Sequence, residues 1–113
     1  MKEIRAIINP HLLGKVVRAL HEMEHFPGVT LLEARGQGRG RGAGGSFRIT
    51  EDDIDYHPKV VVVVVCSDAH ADSVVDAIRG AARTGHRGDG VITVANLEQV
   101  IRIQDGARDE QAV

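Results

Sequence analysis

A run of six consecutive valines, Val60 to Val65, constrains the fold of this 113-residue chain more than any other feature. Valine is β-branched and favours strands, and an apolar run this short is typical of a buried strand. Because no polar residue alternates with the valines, the run predicts a strand from Lys59 to Cys66 that is buried on both faces. A chain of this length must then cover two faces of a sheet. Helices can pack on one face, and assembly with further copies of the chain is an economical way to cover the other.

The rest of the chain predicts alternating strands and helices around that strand. Apolar residues recur with period two in the strands and at helical spacing in the helices. The predicted elements are a strand from Ile4 to Ile8, a helix from Leu12 to about His25, a strand from Val29 to Arg35, the valine strand, a helix capped by Ser67 or Asp68 and running to Ala82, a strand from Val91 to Ala95, and a short element from Leu97 to Ile103 before a polar tail. This order predicts an α/β (α+β) fold, a ferredoxin-like βαββαβ sandwich with both helices on one sheet face.

Charge, cysteine content and hydropathy exclude several classes of protein. The formal net charge is −2, so no global positive field argues for nucleic acid. Cys66 is the single cysteine, which excludes an intramolecular disulfide and suits a reducing compartment. Charged residues interrupt the N-terminus and the valine run is too short to cross a bilayer, so we expect a cytoplasmic protein without membrane insertion.

A glycine-rich motif from Ala81 to Gly90 is the clearest candidate for a binding site. It reads Ala-Ala-Arg-Thr-Gly-His-Arg-Gly-Asp-Gly. Glycines let backbone N–H groups converge on a phosphate, and Arg83, His86 and Arg87 add positive charge. The alternative is an ordinary helix-to-strand connection in which Gly85 ends the helix and the last three residues form a turn.

A second glycine-rich segment, from Gly36 to Gly45, permits further interpretations. The glycines at 40, 42 and 45 match the dinucleotide-binding fingerprint, but the residues that follow do not open an apolar-periodic helix. Its alternating arginines and glycines resemble an RNA-binding tract, yet the tract is short and contains no aromatic residues. Neither interpretation is favoured.

Metal binding and catalysis have less support. His21 and His25 lie four residues apart on the predicted first helix, a spacing that can bridge one metal ion, or they are two solvated residues. The acidic run from Glu51 to Asp55 is typical of a solvated loop. No nucleophile–base pair or paired carboxylates stand at a recognisable spacing, so we expect no enzyme activity.

The motif from Ala81 to Gly90 resembles the B-loop of the PII family of nitrogen-regulatory signalling proteins. Other segments agree with that family in order and spacing: Met1 to Pro10, Gly28 to Glu33, Arg35 to Arg39, Pro58 to Val60 and Val100 to Ile103. The resemblance implies a single PII-like domain over 1–113, assembled as a homotrimer that binds ATP or ADP in the clefts between subunits. It also implies a T-loop at about 36–57 that contacts regulated partners, a B-loop at about 83–90 and a C-terminal tail at about 104–113.

The resemblance assigns a nucleotide site residue by residue. The matched residues are Thr30, Gly36, Gly38, Arg39, Val65, Gly88, Asp89, Gly90, Val91, Arg102, Ile103 and Gln104. The resemblance assigns Thr30 and Val65 to the adenine side, and Gly38, Arg39 and Arg102 to the phosphates. Three cations usual in the family are absent, because Val91 replaces a lysine, Gln104 replaces an arginine and His86 replaces a lysine. Each lost cation weakens attraction to a polyphosphate, so we expect ADP or AMP to compete well with ATP.

The T-loop has the family's length but not its chemistry. Asp52 fills the position of the tyrosine that many bacterial members have uridylylated, so no modification is expected there. Gly40 replaces a glutamine that helps hold magnesium and 2-oxoglutarate. Lys59, which can pair with the 2-oxoglutarate carboxylate, is retained. These departures argue against sensing of 2-oxoglutarate and leave magnesium open.

The resemblance therefore implies a regulator that controls a membrane transporter or a metabolic enzyme through its T-loop, in nitrogen or inorganic-nutrient regulation. A transporter of bicarbonate or of a metal ion is an alternative target. A trimeric metal-binding protein that uses its histidines is the alternative from another class.

Overall fold

The computed structural model describes residues 1–37 and 56–113. Its elements are β1 (Lys2–Ile8), a 3-10 turn (Pro10–Leu12), α1 (Leu13–His21), β2 (Thr30–Gly36), β3 (His57–Cys66), α2 (Asp68–Ala82), β4 (Val91–Asn96) and a last 3-10 turn (Asp109–Ala112). The predicted order of four strands and two helices is confirmed.

The four strands form one sheet in the order β2-β3-β1-β4. Each neighbouring pair is antiparallel, although β1 and β3 are separated by a whole helix and a strand in the sequence. Both helices pack on the same face of the sheet, with α2 against α1 and β1. The predicted ferredoxin-like sandwich is confirmed.

The core lies between the helices and that face of the sheet. Strand residues that point toward the helices alternate with residues that do not, as the period of a strand requires. The fully buried side chains of largest volume are Ile4, Ile8, Val16, Leu20, Val62, Val64, Val74 and Ile78. No polar or charged residue is buried among the residues described, so the core of the described chain depends on apolar packing.

The valine run forms the predicted strand, but the prediction that both of its faces are buried is wrong for a single chain. Val62 and Val64 are buried under the helices, whereas Val61, Val63 and Val65 are only half-buried. The alternate side chains point to the other side of the sheet, where the described residues place no helix. We call this side the open face.

Pairing across the strands shows which residues share the open face. Val61 lies opposite Leu32 on β2 and opposite Ile7 on β1, and Ile7 lies opposite Val91 on β4. One apolar row thus crosses all four strands. Its outer members Leu32 and Val91 are 47% and 55% exposed, so the row is an uncovered apolar strip in the single chain.

The first helix is shorter than predicted, and the second begins as predicted with one difference. α1 ends at His21 instead of about His25, and the next residues form bends before β2. The sequence predicts the longer helix because Met23 continues the helical spacing of apolar residues. Met23 does pack on the core, but it lies beyond the end of the helix. α2 starts at Asp68 after Ser67, but the Ser67 side chain makes no capping hydrogen bond.

The C-terminal segment also differs from the prediction. The short element predicted from Leu97 to Ile103 is reduced to a single bridge between Ile101 and Arg108. The predicted polar tail is folded back by that bridge and ends in a 3-10 turn (Asp109–Ala112). The amide of Asp109 donates to the carbonyl of Val100 at 2.7 Å, and this hydrogen bond holds the tail against the segment that precedes it. Local polar residues, which a hydrophobic period cannot reveal, stabilise this segment.

Within 1–37 and 56–113, no helix is both long and apolar enough to cross a membrane.

Candidate functional site

The glycine-rich motif forms a loop between α2 and β4 that is organised by one carboxylate. Asp89 accepts hydrogen bonds at 2.9 Å from the backbone N–H groups of Thr84 and Gly85, and a further bond from the Thr84 hydroxyl. The Thr84 hydroxyl oxygen in turn accepts from the N–H of His86 at 3.1 Å. The two ends of the loop are therefore tied together through Asp89, whose carboxylate organises the loop from within.

These hydrogen bonds stabilise the charged form of Asp89. The Thr84 side chain is the largest cause that holds the pKa of this carboxyl below its ordinary value, followed by the backbone N–H of Thr84 and, more weakly, that of Gly85. The nearby His86 acts in the same direction. Asp89 is thus an anion at neutral pH that is already satisfied by the loop.

Lys59 ties the same loop to the rest of the sheet. Its ammonium donates to the side-chain oxygen of Asn9 at 2.6 Å and to the carbonyl of Gly88 at 2.9 Å. The register explains the first contact, because Ile8 pairs with Val60, which places Asn9 beside Lys59 one step beyond the end of β1. The end of β1, the start of β3 and the loop meet at one cation.

Two glycines set the path of the loop across the end of β1. Gly88 and Gly90 have φ angles of +89° and +102°, which L side chains rarely adopt. A Cβ on Gly90 would lie 1.7 Å from the carbonyl oxygen of Ile7, whereas a Cβ on Gly88 would meet nothing within 4 Å. The backbone at Gly90 therefore packs directly on β1, and the backbone at Gly88 faces open space.

A cleft of about 410 Å³ lies beside the loop. Apolar residues from α2, β1 and β4 form its floor, and charged residues stand at its rim. The lining residues are Ile7, Ile8, Val75, Arg79, Ala82, Arg83, Asp89, Gly90, Val91 and Ile92. The arrangement offers an apolar surface next to guanidinium groups and the loop backbone, which suits a ligand that is partly apolar and partly anionic.

The predicted site residues fall into separate places on the described chain. Gly36 lies next to Lys59, since a Cβ on it would lie 4.0 Å from the Lys59 Cγ, and the Gly88–Gly90 turn belongs to the same end of the sheet. Thr30 and Val65 lie at the other end of the open face. Lys59 and Val65 are six residues apart on β3, about 20 Å at the rise of a strand.

The predicted C-terminal residues form a third place. The Arg102 guanidinium makes two hydrogen bonds of 2.9 Å to Asp105, three residues later. Arg102 holds the pKa of Asp105 below its ordinary value, helped by the backbone N–H of Ala107. Ile103 is fully exposed and Gln104 is exposed.

Several predictions concern residues 38–55, which lie outside the described part of the chain. They include the phosphate contacts at Gly38 and Arg39, the glutamine replacement at Gly40, the replaced modification site at Asp52 and the acidic run to Asp55. The described residues show that β2 ends at Gly36 and that β3 begins at His57.

The helical arrangement proposed for His21 and His25 is wrong. α1 ends at His21, so His25 does not stand one turn further along it. The ring of His21 stacks on Phe26 with centroids 4.0 Å apart, and His25 stacks on His70 at 5.1 Å. Over 1–37 and 56–113, no three histidine, cysteine or acidic side chains converge as a metal site would require.

Sequence reasoning missed the roles of Asn9 and Thr84. In the sequence, Asn9 with Pro10 only marks the end of the predicted first strand, and Thr84 is only a member of the glycine-rich motif. The strand register could have revealed Asn9, because the row after Ile8 and Val60 necessarily brings positions 9 and 59 together. Thr84 could have been suspected from the acidic residue five positions later.

Comparison with known proteins assigns the family. The model of the family described as nitrogen regulatory protein P-II matches residues 1–107, which covers nearly the whole chain and every described element up to β4. The chain belongs to the P-II family. It is therefore a signal-transduction regulator in nitrogen control, a regulatory class rather than an enzymatic one.

Individual P-II relatives align from end to end. The chain is 46% identical to the nitrogen regulatory protein P-II of Rhizobium meliloti (strain 1021) and 42% identical to that of Azospirillum brasilense, over 113 residues and the full length of both partners. It is 41% identical to nitrogen regulatory protein P-II 2 of Methanothermobacter thermautotrophicus over 113 residues, 97% of that protein. The similarity to P-II proteins of these three organisms thus covers the whole chain.

Proposed function

We propose that this P-II protein binds an adenine nucleotide, ATP or ADP with AMP as a competitor, in a cleft between subunits of a homotrimer. The observation that carries the proposal is the loop Thr84–Gly90, which is fixed by Asp89 and Lys59. The loop presents the N–H groups of Arg87, Gly88 and Gly90, none of which donates to an acceptor within the described residues. Free N–H groups on a glycine turn, next to Lys59, Arg83 and Arg87, suit a phosphate.

The positions of the predicted contacts support a site shared by two chains. The residues that the family resemblance assigns to the adenine side are distant from the phosphate-side cluster at Lys59. Along the sheet Val65 lies about 20 Å from Lys59, and Thr30, which pairs with Val63, lies about 13 Å from it. Arg102 lies in a separate segment and pairs with its neighbour Asp105. A nucleotide meets both groups more readily if one chain supplies the base contacts and another the phosphate contacts. The apolar row Leu32–Val61–Ile7–Val91 supplies a surface for the assembly.

Occupancy of the cleft would then regulate a partner through residues 36–57, because both ends of that segment reach the site. Gly36 lies against Lys59, and Lys59 bonds to the phosphate loop. A ligand that shifts the loop would bias the segment and so block or release a target. The target would be a membrane transporter or a metabolic enzyme, in keeping with nitrogen control.

Calorimetric titration with ATP, ADP and AMP, each with and without magnesium, tests the binding. We expect saturable binding of ADP and ATP, and no more than weak cooperation with 2-oxoglutarate, because Gly40 offers no side-chain ligand. Gly88→Val should abolish binding, since a β-branched residue is strained at φ +89° and narrows the approach of phosphate. Gly14→Ala on α1, which has open space around it, is the matched control and should leave affinity unchanged.

Two results would contradict the proposal. One is the absence of binding to any of the three nucleotides by the wild-type protein. The other is unchanged ADP affinity in a folded, assembled Gly88→Val variant, which would move the site away from the loop. Zinc titration addresses the alternative function, and tight zinc binding without nucleotide binding would favour a metal-binding protein.

A further inference from the structure

Lys59 makes two contacts within the chain that its predicted role as a partner of 2-oxoglutarate does not explain. Its ammonium has three N–H groups. Asn9 Oδ1 accepts one at 2.6 Å and the Gly88 carbonyl accepts another at 2.9 Å, which leaves one N–H group without an acceptor among residues 1–37 and 56–113. Both acceptors are neutral, so the ammonium keeps its full positive charge beside the loop.

The carbonyl of Asn9 accepts a hydrogen bond from the Leu12 amide at 3.0 Å, but among the described residues its side chain bonds to Lys59 alone. Asn9 precedes the 3-10 turn (Pro10–Leu12), but its side chain makes no capping hydrogen bond to that turn. Its amide oxygen instead accepts a hydrogen bond from the same Lys59 ammonium that bonds to the carbonyl of Gly88. Since a lysine side chain is long and flexible, an anchor on one side reduces the entropy that Lys59 loses when it binds the loop.

We propose that Asn9 is a positioning residue that holds Lys59 on the carbonyl of Gly88 and so fixes the Thr84–Gly90 loop for its ligand. Asn9, Lys59 and Gly88 form a latch between the end of β1, the start of β3 and the loop. A neutral anchor matters, because an acidic residue at position 9 would hold the lysine equally well but cancel its charge. The effect on loop order stands on the structure alone, whereas the effect on affinity rests on the proposed nucleotide binding.

The first test measures loop order without any ligand. Backbone N–H groups of Thr84, Gly85 and His86 are protected by the hydrogen bonds that tie the loop together. Asn9→Ala should raise their hydrogen-exchange rates on the order of threefold to tenfold, the range expected for loss of one typical hydrogen bond. The Lys59 ammonium gives an NMR signal only while its protons exchange slowly with water, and hydrogen bonds slow that exchange. Asn9→Ala should therefore also weaken this signal.

The matched control is Asn96→Ala, which removes a similar asparagine–lysine contact with Lys2 near the opposite end of β1 and should leave the loop unchanged.

A double-mutant cycle separates positioning from a general structural role. Lys59→Met should accelerate the same exchange, and Asn9→Ala should add nothing in the Lys59→Met background, because Asn9 acts through Lys59. Equal effects of Asn9→Ala in both backgrounds would overturn the proposal. So would an Asn9→Ala variant whose loop exchanges as slowly as the wild type.

The second test uses ADP and the conservative variant. Asn9→Asp should keep the slow exchange of the loop, since a carboxylate oxygen can accept the same bond, yet it should weaken ADP binding severalfold by neutralising Lys59. Wild-type ADP affinity in Asn9→Asp would overturn the charge argument. If the wild type binds no ADP while the exchange cycle shows coupling, the proposed function fails and the latch stands.

Discussion

Position 90 requires glycine because of one backbone angle and one close atomic contact. The φ of Gly90, +102°, is unfavourable for any residue with a Cβ, and its position beside the Ile7 carbonyl leaves no room for one. Gly88, two residues earlier, has the same kind of backbone angle but open space around it. Gly88 is therefore required for its backbone conformation alone, and Gly90 for its conformation and for its close contact with β1.

Alanine substitutions should separate these reasons. Gly88→Ala should lower the free energy of unfolding by about 1–2 kcal/mol, the cost of a left-handed residue. Gly90→Ala should cost more, because the loop must also move away from Ile7. Gly14→Ala on α1 should be neutral or stabilising by up to about 1 kcal/mol. Urea unfolding at one fixed protein concentration measures all three. A Gly90→Ala variant no less stable than Gly88→Ala would contradict the close approach.

The pKa of Asp89 gives a second test at the same scale. Because its pKa is depressed in the folded state, its contribution to stability is present above the unfolded value, about 3.9, and is lost as pH falls through the folded value. Thr84→Val should bring the pKa of Asp89 back toward its ordinary value, because the hydrogen bond from the Thr84 side chain is the largest cause of the lowered pKa. Carboxyl NMR titration measures the pKa of Asp89 in the wild type and in the variant. An Asp89 pKa at or above that of an unperturbed aspartate would exclude the hydrogen-bonded loop.

Helix α2 is the element that joins the core to the site. Val74 and Ile78 on one side are fully buried, and its last turn carries Arg79 at the rim of the cleft. The end of the helix is therefore fixed by packing, and the loop that follows starts from a rigid point. Loss of packing in α2 should affect both stability and the geometry of the loop.

Truncation of Ile78 tests this coupling. Ile78→Ala should lower the free energy of unfolding by about 2–5 kcal/mol, and Ile78→Val by about 0.5–1.5 kcal/mol, because the cavity grows with the atoms removed. Chemical denaturation gives the stabilities, and hydrogen exchange at Thr84 and Gly85 reports on the loop. Equal costs for the two substitutions would show that the helix relaxes into the space.

For the whole molecule, the open face is the feature that a single chain leaves unsatisfied. An apolar row crosses all four strands there, whereas the opposite face of the two central strands, β1 and β3, is buried under the helices. Uncovered apolar surface of this kind favours association. The homotrimer proposed for this P-II protein would cover it.

Neighbouring valines on β3 provide a matched test of assembly. Val61→Lys places a charge on the open face and should yield a folded but dissociated chain, while Val62→Lys buries a charge under the helices and should prevent folding. Light scattering gives the mass, and circular dichroism the fold. A Val61→Lys protein that assembles like the wild type would show that the open face is not the interface.

The sequence by itself determined the strands, the helices and their order, because the period of apolar residues follows directly from backbone geometry. It also determined the family, through a long series of matched segments rather than any one motif. Only the tertiary structure decided which valines are buried, where α1 ends, and how Asn9, Lys59 and Gly88 meet. Those outcomes depend on strand register and on contacts between residues some fifty positions apart. Such contacts are set when the sheet forms, and a local sequence pattern does not specify them.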